Sequence, residues 1–425
     1  SVALSFKVAG IGMGYVFFLL ISRIYGAEEQ GVFSLCWTIL MIGAVVGKIG
    51  LDTSIVRFIA AEIAKNNGSE AKRVYRTGLA LVLVCSIAVL LLLVIFNESL
   101  SKIFFESSEK YYLINYVGLS VIPMAIMSYN AEALRGLKKI GWYSIFQNGA
   151  IYILILLILL FVYMLKPELN FLIPAMLFAL LIMALISLLL FRSAENKVEI
   201  GQHHELSYPL KTVLTVSFPM LLTNSLFLLM NWTDILMLGA FKTEADVGIY
   251  TIAVKIAALN SVALVAVNSI AAPKFAELHA KNDQLGLRKI VKQTTLINTL
   301  LSVPVFVAIL AFPGFLMKLF GAEFEVGVHA LIILAFGQFF NAFSGSTMYV
   351  LNMTGKEITG RNILLAGTLL NVLLNSLLIP RYGINGGAIA TLSSTVTWNV
   401  LAVIYIYKYY RFSTYPFNIS GRHAD

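Results

Sequence analysis

The chain has 425 residues, 59 % of them apolar and only 12 % charged, with a formal net charge of +9. This balance excludes a soluble globular protein. The apolar residues fall in roughly twelve stretches of about twenty, and at ~1.5 Å per residue each can span the ~30 Å hydrocarbon core of a bilayer. Backbone groups in hydrocarbon must bond within the segment, so the stretches are predicted to be helices and the chain an all-α polytopic membrane protein with 12 transmembrane helices.

In chain order the predicted spans are 2–22, 31–50, 77–97, 112–131, 143–165, 171–191, 213–236, 248–271, 293–312, 328–350, 362–379 and 386–407. The first is longer than a signal-peptide core and lacks a basic start. Its Gly10, Gly12 and Gly14 have no βαβ context, so they read as sites of bending or close packing. Cys36 and Cys85 lie inside spans and read as small core residues. Residues 51–76 are partly amphipathic, with Ile55, Phe58, Ile59 and Ile63 near one face and Arg57, Glu62 and Lys65 elsewhere. That stretch and 273–292 read as cytoplasmic extensions of spans, as surface-lying helices, or as simple helical loops. Pro123, Pro219 and Pro304 are predicted to kink their helices. Every connection is too short for an ATPase domain, so any transport draws its energy from elsewhere.

The two halves repeat. Glu29-Gln30-Gly31-Val32-Phe33 opens the second span and Ala245-Asp246-Val247-Gly248-Ile249-Tyr250 opens the eighth, with Gly31 and Gly248 217 residues apart (248 − 31). Arg57-Phe58 and Lys274-Phe275 share that offset, while Gly136/Gly355 and Gly141/Gly360 stand 219 apart. Six spans per half return the chain to one side of the membrane. The expectation is therefore two parallel six-helix bundles, residues 1–192 and 212–408, related by a pseudo-two-fold axis along the membrane normal. A polar linker, 193–211, joins them, and 409–425 forms a tail.

The positive charge is sorted by side rather than gathered for nucleic acid. Even-numbered connections and the tail carry 21 of the 31 Lys and Arg, odd-numbered ones 7. The positive-inside rule places the even connections and both termini in the cytoplasm.

Charges within spans need a reason, because each costs about 2.5–3.5 kcal/mol at a helix centre. Lys7 and Lys48 lie toward the inner side; they either draw an anionic group into a cytoplasmic vestibule or snorkel to the interface. Arg23 sits at the outer end of the first span, as an interface anchor or part of an outer mouth. Asp234 and Lys255 flank the 241–247 turn at similar depth. They are either a structural ion pair, or Asp234 titrates or binds a cation and couples transport to a gradient. Asn224 repeats the position of Lys7 (224 − 7 = 217) within a polar run of Ser217, Thr223, Asn231 and Thr233. Asn148, Asn260, Asn268, Gln338, Asn341, Asn371 and Asn375 could contact sugar hydroxyls or join helices. The five His residues show no metal-site pattern, no hydrolase or phosphate-loop motif is present, and no cofactor or enzymatic activity is expected.

The motif at 29–33, the run Gly50-Leu51-Asp52-Thr53-Ser54 to Arg57-Phe58, the turn Leu134-Arg135-Gly136 and the closing segment Tyr382-Gly383-Ile384-Asn385-Gly386-Gly387-Ala388-Ile389-Ala390 resemble the polysaccharide exporter family. Within it the chain is most similar to Wzx-type O-antigen flippases of the multidrug/oligosaccharidyl-lipid/polysaccharide superfamily. The resemblance implies translocation of an undecaprenyl-pyrophosphate-linked oligosaccharide to the outer leaflet of a bacterial cytoplasmic (inner) membrane by alternating access, coupled to a proton or sodium gradient. On that reading Lys7, Lys48, and Arg23 or Lys255 receive the pyrophosphate or acidic sugars; Asn224 joins them as the repeat counterpart of Lys7, and Asp234 is the intramembrane carboxylate for the coupling ion. A monomer working beside a polysaccharide polymerase and glycosyltransferases is the implied setting. The alternatives are a cation-coupled multidrug antiporter of the same fold and a non-transporting scaffold of a glycan assembly complex.

Overall fold

The computed structural model describes residues 2–105, 107–147, 149–166, 170–195, 215, 217 and 232–415, with the side chains of 2–8, 108 and 269 not described. Among the described residues the chain is helical throughout. Eight helical stretches are long and apolar enough to cross a membrane, or nine if one bent pair counts as a span. The predicted span 213–236 lies mostly outside the described residues.

Glycines explain where predicted spans merge or divide. Helix α1, Val2–Lys48, contains two predicted spans joined at Gly26, whose φ of 81° only glycine adopts freely. Gly50 (φ 73°) turns the chain into α2, Leu51–Ala64, and α3 follows at Gly68–Ile95. The short α4, Asn97–Phe104, leads to α5, Tyr111–Gly136. One predicted span, 143–165, is instead α6, Ile140–Gln147, and α7, Ala150–Leu165, which meet at 54° beside Gly149 (φ 90°). Helix α8 is Leu172–Glu195 and α9 is Trp232–Phe241. Then come α10, Glu244–Ala258, α11, Val262–Ala280, α12, Gln284–Ala311, and the short α13, Pro313–Lys318. The predicted span 328–350 is broken at Gly345 into α14, Val328–Ser344, and α15, Thr347–Met353. Helix α16, Glu357–Tyr410, again holds two predicted spans and turns at Gly383 (φ 55°).

The described chain forms two compact units: residues 1–24 with 32–225, and residues 25–31 with 226–425. In the first, α5 packs on α2, α3 and α8. Tyr75 stacks on Phe191 with ring centroids 3.7 Å apart. Asn130 ties three helices, accepting from Tyr75 Oη at 2.8 Å and donating to Ser187 Oγ at 2.9 Å. Such interhelical bonds hold helices that gain little from burying apolar surface in lipid. Phe17, Phe33, Trp37 and Tyr152 form a second packed aromatic group, with Phe17 and Phe33 fully buried. Neither Cys36 nor Cys85 is in a disulfide.

Helix α2 is a separate element packed on α3 and α5 rather than an extension of α1. Its buried face includes Ile55, Phe58 and Ile59 as the pattern predicts, but also Glu62, expected on the other side. The reason is local. The chain folds back at Asn66, and Glu62 accepts from Lys65 Nζ at 2.8 Å and Asn67 Nδ2 at 3.0 Å. Asn67 also caps α3 by accepting from the Glu70 amide. The other stretch, 273–292, is the end of α11 and the start of α12 on either side of a turn.

The second unit has a core from α11, α12, α15 and α16, including Phe275, Leu287, Val291, Leu351 and Ile406. Residues 25–31, which sequence places in the first half, are seated in this unit. The two motif glycines meet there. A Cβ on Gly31 would overlap the Glu244 carbonyl oxygen and lie 3.0 Å from the Gly248 nitrogen. A Cβ on Gly248 would overlap the Ala27 carbonyl oxygen and lie 2.9 Å from the Gly31 nitrogen. The contact is reciprocal, and both of its residue pairs obey the 217 offset (248 − 31 and 244 − 27).

The break at Gly26 frees backbone donors, and Glu323 takes one: its Oε1 accepts from the Ala27 amide at 2.7 Å. A charge-assisted bond of this kind is worth about 1.5–3 kcal/mol. Glu323→Ala is therefore expected to speed amide exchange over 25–31 about tenfold or more, whereas Glu323→Gln, which keeps an acceptor, changes it less. Equal exchange in wild type and Glu323→Ala would show that the bond does not hold the segment.

Candidate functional site

A carboxylate inside a span must be compensated or it will not persist there. Asp234, on α9, is 5 % exposed and is held by α10 and both limbs of α16. Tyr250 Oη donates to its Oδ2 at 2.9 Å, and Thr391 donates to the same oxygen. Asn371 Nδ2 and Asn375 Nδ2 donate to Oδ1 at 3.1 and 2.5 Å. All four donors are uncharged. Each bond to an ionised group is worth about 1.5–3 kcal/mol, so the four together offset part of the cost of placing a carboxylate there, ~2.5–3.5 kcal/mol on insertion scales.

Local structure explains the convergence. Asn371 and Asn375 stand four apart on the first limb of α16 and so share a face. The turn at Gly383 brings Thr391 and Ser394 of the second limb to the same place, where Asn371 Nδ2 is 3.5 Å from each hydroxyl. Thr243 caps α10, accepting from the Asp246 amide at 3.2 Å, and Tyr250 follows in that helix, fully buried.

One atom of the cluster stands out chemically. Asn375 Oδ1 is buried and accepts no hydrogen bond. Asn375 Nδ2 meanwhile donates to Asn371 Oδ1 at 3.0 Å. The cluster combines a carboxylate, two amides and two hydroxyls, and oxygen is the donor type that hard cations prefer. Among the described residues no group of three or more His, Cys, Asp or Glu is placed to hold a metal.

The sequence-predicted residues fare differently. Asp234 directs its bonds to Tyr250, Thr391, Asn371 and Asn375 rather than to Lys255, so the ion-pair reading is replaced by a neutral hydrogen-bonded cage. Lys255 lies in the last turn of α10, half-buried. Lys48, in the last turn of α1, pairs with Asp52 at 2.7 Å with 12 % of its side chain exposed. Arg23 is exposed near the Gly26 break. The Lys7 side chain, Asn224, Pro219 and Asn148 lie outside the described residues. Of the other amides, Gln338 accepts from Ser261 at 2.5 Å and Asn341 from Asn399 at 3.3 Å, and both join helices. Tyr250 and Thr391 were not anticipated as site residues. The available signal for Tyr250 was its place in the 245–250 motif.

The family model described as polysaccharide biosynthesis protein matches residues 1–279, and that described as MatE matches 219–377. The probable low-salt glycan biosynthesis flippase Agl15 of Haloferax volcanii is 31 % identical over 180 residues, 41 % of this chain and 38 % of that protein. The probable flippase AglR of the same organism is 28 % identical over 41 % of this chain and 37 % of its own length. The similarity thus spans under two-fifths of either flippase. An uncharacterized membrane protein of Methanocaldococcus jannaschii, MJ1375, is 23 % identical over 93 % of this chain and 94 % of its own. Among solved structures, the lipid II flippase MurJ in an inward closed conformation has a TM-score of 0.76 at 14 % identity, covering 95 % of this chain and 87 % of its own. An inward-facing multidrug resistance MATE transporter also scores 0.76, at 16 % identity over 96 % of this chain and 98 % of its own. At these identities the likeness establishes the fold.

Proposed function

We propose that this chain, which belongs to the polysaccharide biosynthesis protein family, is a flippase that carries a lipid-linked oligosaccharide between the leaflets of a membrane and is coupled to a cation at Asp234. The observation that carries the coupling is the buried Asp234 carboxylate, caged by uncharged donors beside the unbonded Asn375 oxygen. The substrate class rests on the family match and on the glycan flippase among the relatives.

The physical problem is the polar head. Several sugars and a pyrophosphate cannot cross hydrocarbon unaided, because each unpaired polar group costs kilocalories. Twelve spans in two parallel six-helix bundles, rocking around a hydrated cavity, remove that cost while the lipid tail stays in the bilayer. Lys7, Lys48, Arg23, Lys255 and Asn224 receive the anionic head and its sugars. The resemblance names an undecaprenyl-pyrophosphate carrier, a bacterial cytoplasmic membrane and cytoplasmic termini. The cation, H⁺ or Na⁺, biases the cycle by binding one conformation more tightly than the other.

In cells that depend on this chain for surface glycan, Lys7→Ala with Lys48→Ala is expected to lower export severalfold at unchanged protein level. Unchanged export would remove both lysines from the substrate path. The MatE match over 219–377 favours a second reading, a cation-coupled drug antiporter. Efflux of a cationic dye with no movement of lipid-linked sugar would select it.

A further inference from the structure

The first turns of α3 carry a cationic cleft of about 330 Å³, lined by Ser69, Lys72, Arg73, Arg76 and Thr77. Two carboxylates lie near it, at the edge of ion-pair range: Glu70 is 3.7 Å from Arg73 and Glu195 is 3.8 Å from Arg76. At those distances neither pair is a hydrogen bond. The Arg side chains are 50 % and 74 % exposed. Three cations against two carboxylates leave the cleft net positive.

The same helix face changes character about two turns further on. Val84, Ile87, Leu91 and Ile95 are 64 %, 45 %, 55 % and 69 % exposed. At ~100° per residue, these positions and the cleft residues fall within an arc of about 140°. The face is thus a basic, hydroxyl-bearing patch continued by an uncovered apolar stripe along a membrane-spanning helix. That sequence of chemistries matches an amphiphile with an anionic head and acyl chains.

We propose that this face binds an anionic phospholipid. The phosphodiester lies between Lys72, Arg73 and Arg76, where guanidinium forks bond phosphate oxygens in pairs. The Ser69 and Thr77 hydroxyls supply further donors, and the acyl chains follow Val84, Ile87 and Leu91. A free phosphate would use the cleft but gain nothing from the stripe. Basic residues at a membrane surface each add attraction for anionic lipid, which is lost on their neutralisation. The site lies entirely within the first unit and does not depend on the transport reading.

The test uses the purified full chain in mixed phosphatidylglycerol and phosphatidylcholine, with bound lipid counted by native mass spectrometry. Lys72→Gln/Arg73→Gln/Arg76→Gln is expected to lower retained phosphatidylglycerol at least about tenfold and to leave phosphatidylcholine unchanged. Arg73→Lys/Arg76→Lys, which keeps the charge, should retain most of it. Arg288→Gln/Lys289→Gln, which removes the same kind of charge elsewhere, should have no effect. Val84→Ser/Ile87→Ser/Leu91→Ser should weaken retention with the cations intact. Full retention by the triple Gln variant overturns the proposal. So does displacement of the lipid by millimolar inorganic phosphate, which would make this a free-phosphate site. Equal loss in the Arg288/Lys289 variant would reduce the effect to net charge and also overturn it.

Discussion

Asp234→Asn is expected to abolish the dependence of transport on an ion gradient while leaving the protein folded and at normal abundance. The substitution keeps the shape of the side chain and removes its charge. Asn371 and Asn375 can turn their amides to suit the new group, so the cage survives. What is lost is the one formal charge in an otherwise neutral oxygen set. A cation that stabilises the wild type by RT ln(1 + [L]/Kd) will then stabilise the variant far less. The readout is the shift of thermal midpoint with Na⁺ or with pH, together with gradient-driven transport. Lys255→Gln is expected to leave the cation response intact, because Lys255 takes no part in the Asp234 cage. A full cation response in Asp234→Asn would remove the site from the coupling step.

The second large effect is steric. In Gly31→Ala the new methyl overlaps the Glu244 carbonyl, and in Gly248→Ala it overlaps that of Ala27. Both obstacles are backbone and cannot rotate away. Overpacking of this kind costs about 1–3 kcal/mol, occasionally more. Either variant should therefore dislodge residues 25–31 from their seat in the second unit. The measurement is labelling of Ala27→Cys by a membrane-impermeant maleimide. It should be about tenfold to a hundredfold faster in the glycine variants, at 1.4 kcal/mol per factor of ten. Gly12→Ala and Gly141→Ala, where an added methyl meets nothing within 4 Å, serve as neutral controls. Equal labelling in all five backgrounds would mean that the close approach is not what seats the segment.

The 217 offset was legible from short motifs, and its structural meaning is the reciprocal contact of Gly31 and Gly248. Apolar stretches likewise mark α3, α5, α8 and α12. Hydropathy could not tell a span that ends from one that turns on a glycine. Thus α1 and α16 each run through two predicted spans, while Gly149 and Gly345 each divide one. Depth along the chain put Asp234 level with Lys255, but depth leaves the rotation of each helix undetermined. The true partners Asn371 and Asn375 are 137 and 141 residues away and Thr391 is 157. Their i, i+4 spacing was visible; their convergence on Asp234 depends on tertiary packing that no local pattern records. Glu62 fell to the same limit, because its burial follows from a turn in which Asn67 folds back onto it.

The most direct measurement uses liposomes carrying the purified chain, a defined polyprenyl-pyrophosphate-linked oligosaccharide in one leaflet, and an imposed Na⁺ or proton gradient. The sugar is expected to reach the opposite leaflet faster than in protein-free vesicles, the gradient to accelerate it, and Asp234→Asn to remove the acceleration. Movement no faster than in empty vesicles, or a gradient response that survives Asp234→Asn, would contradict the proposed function.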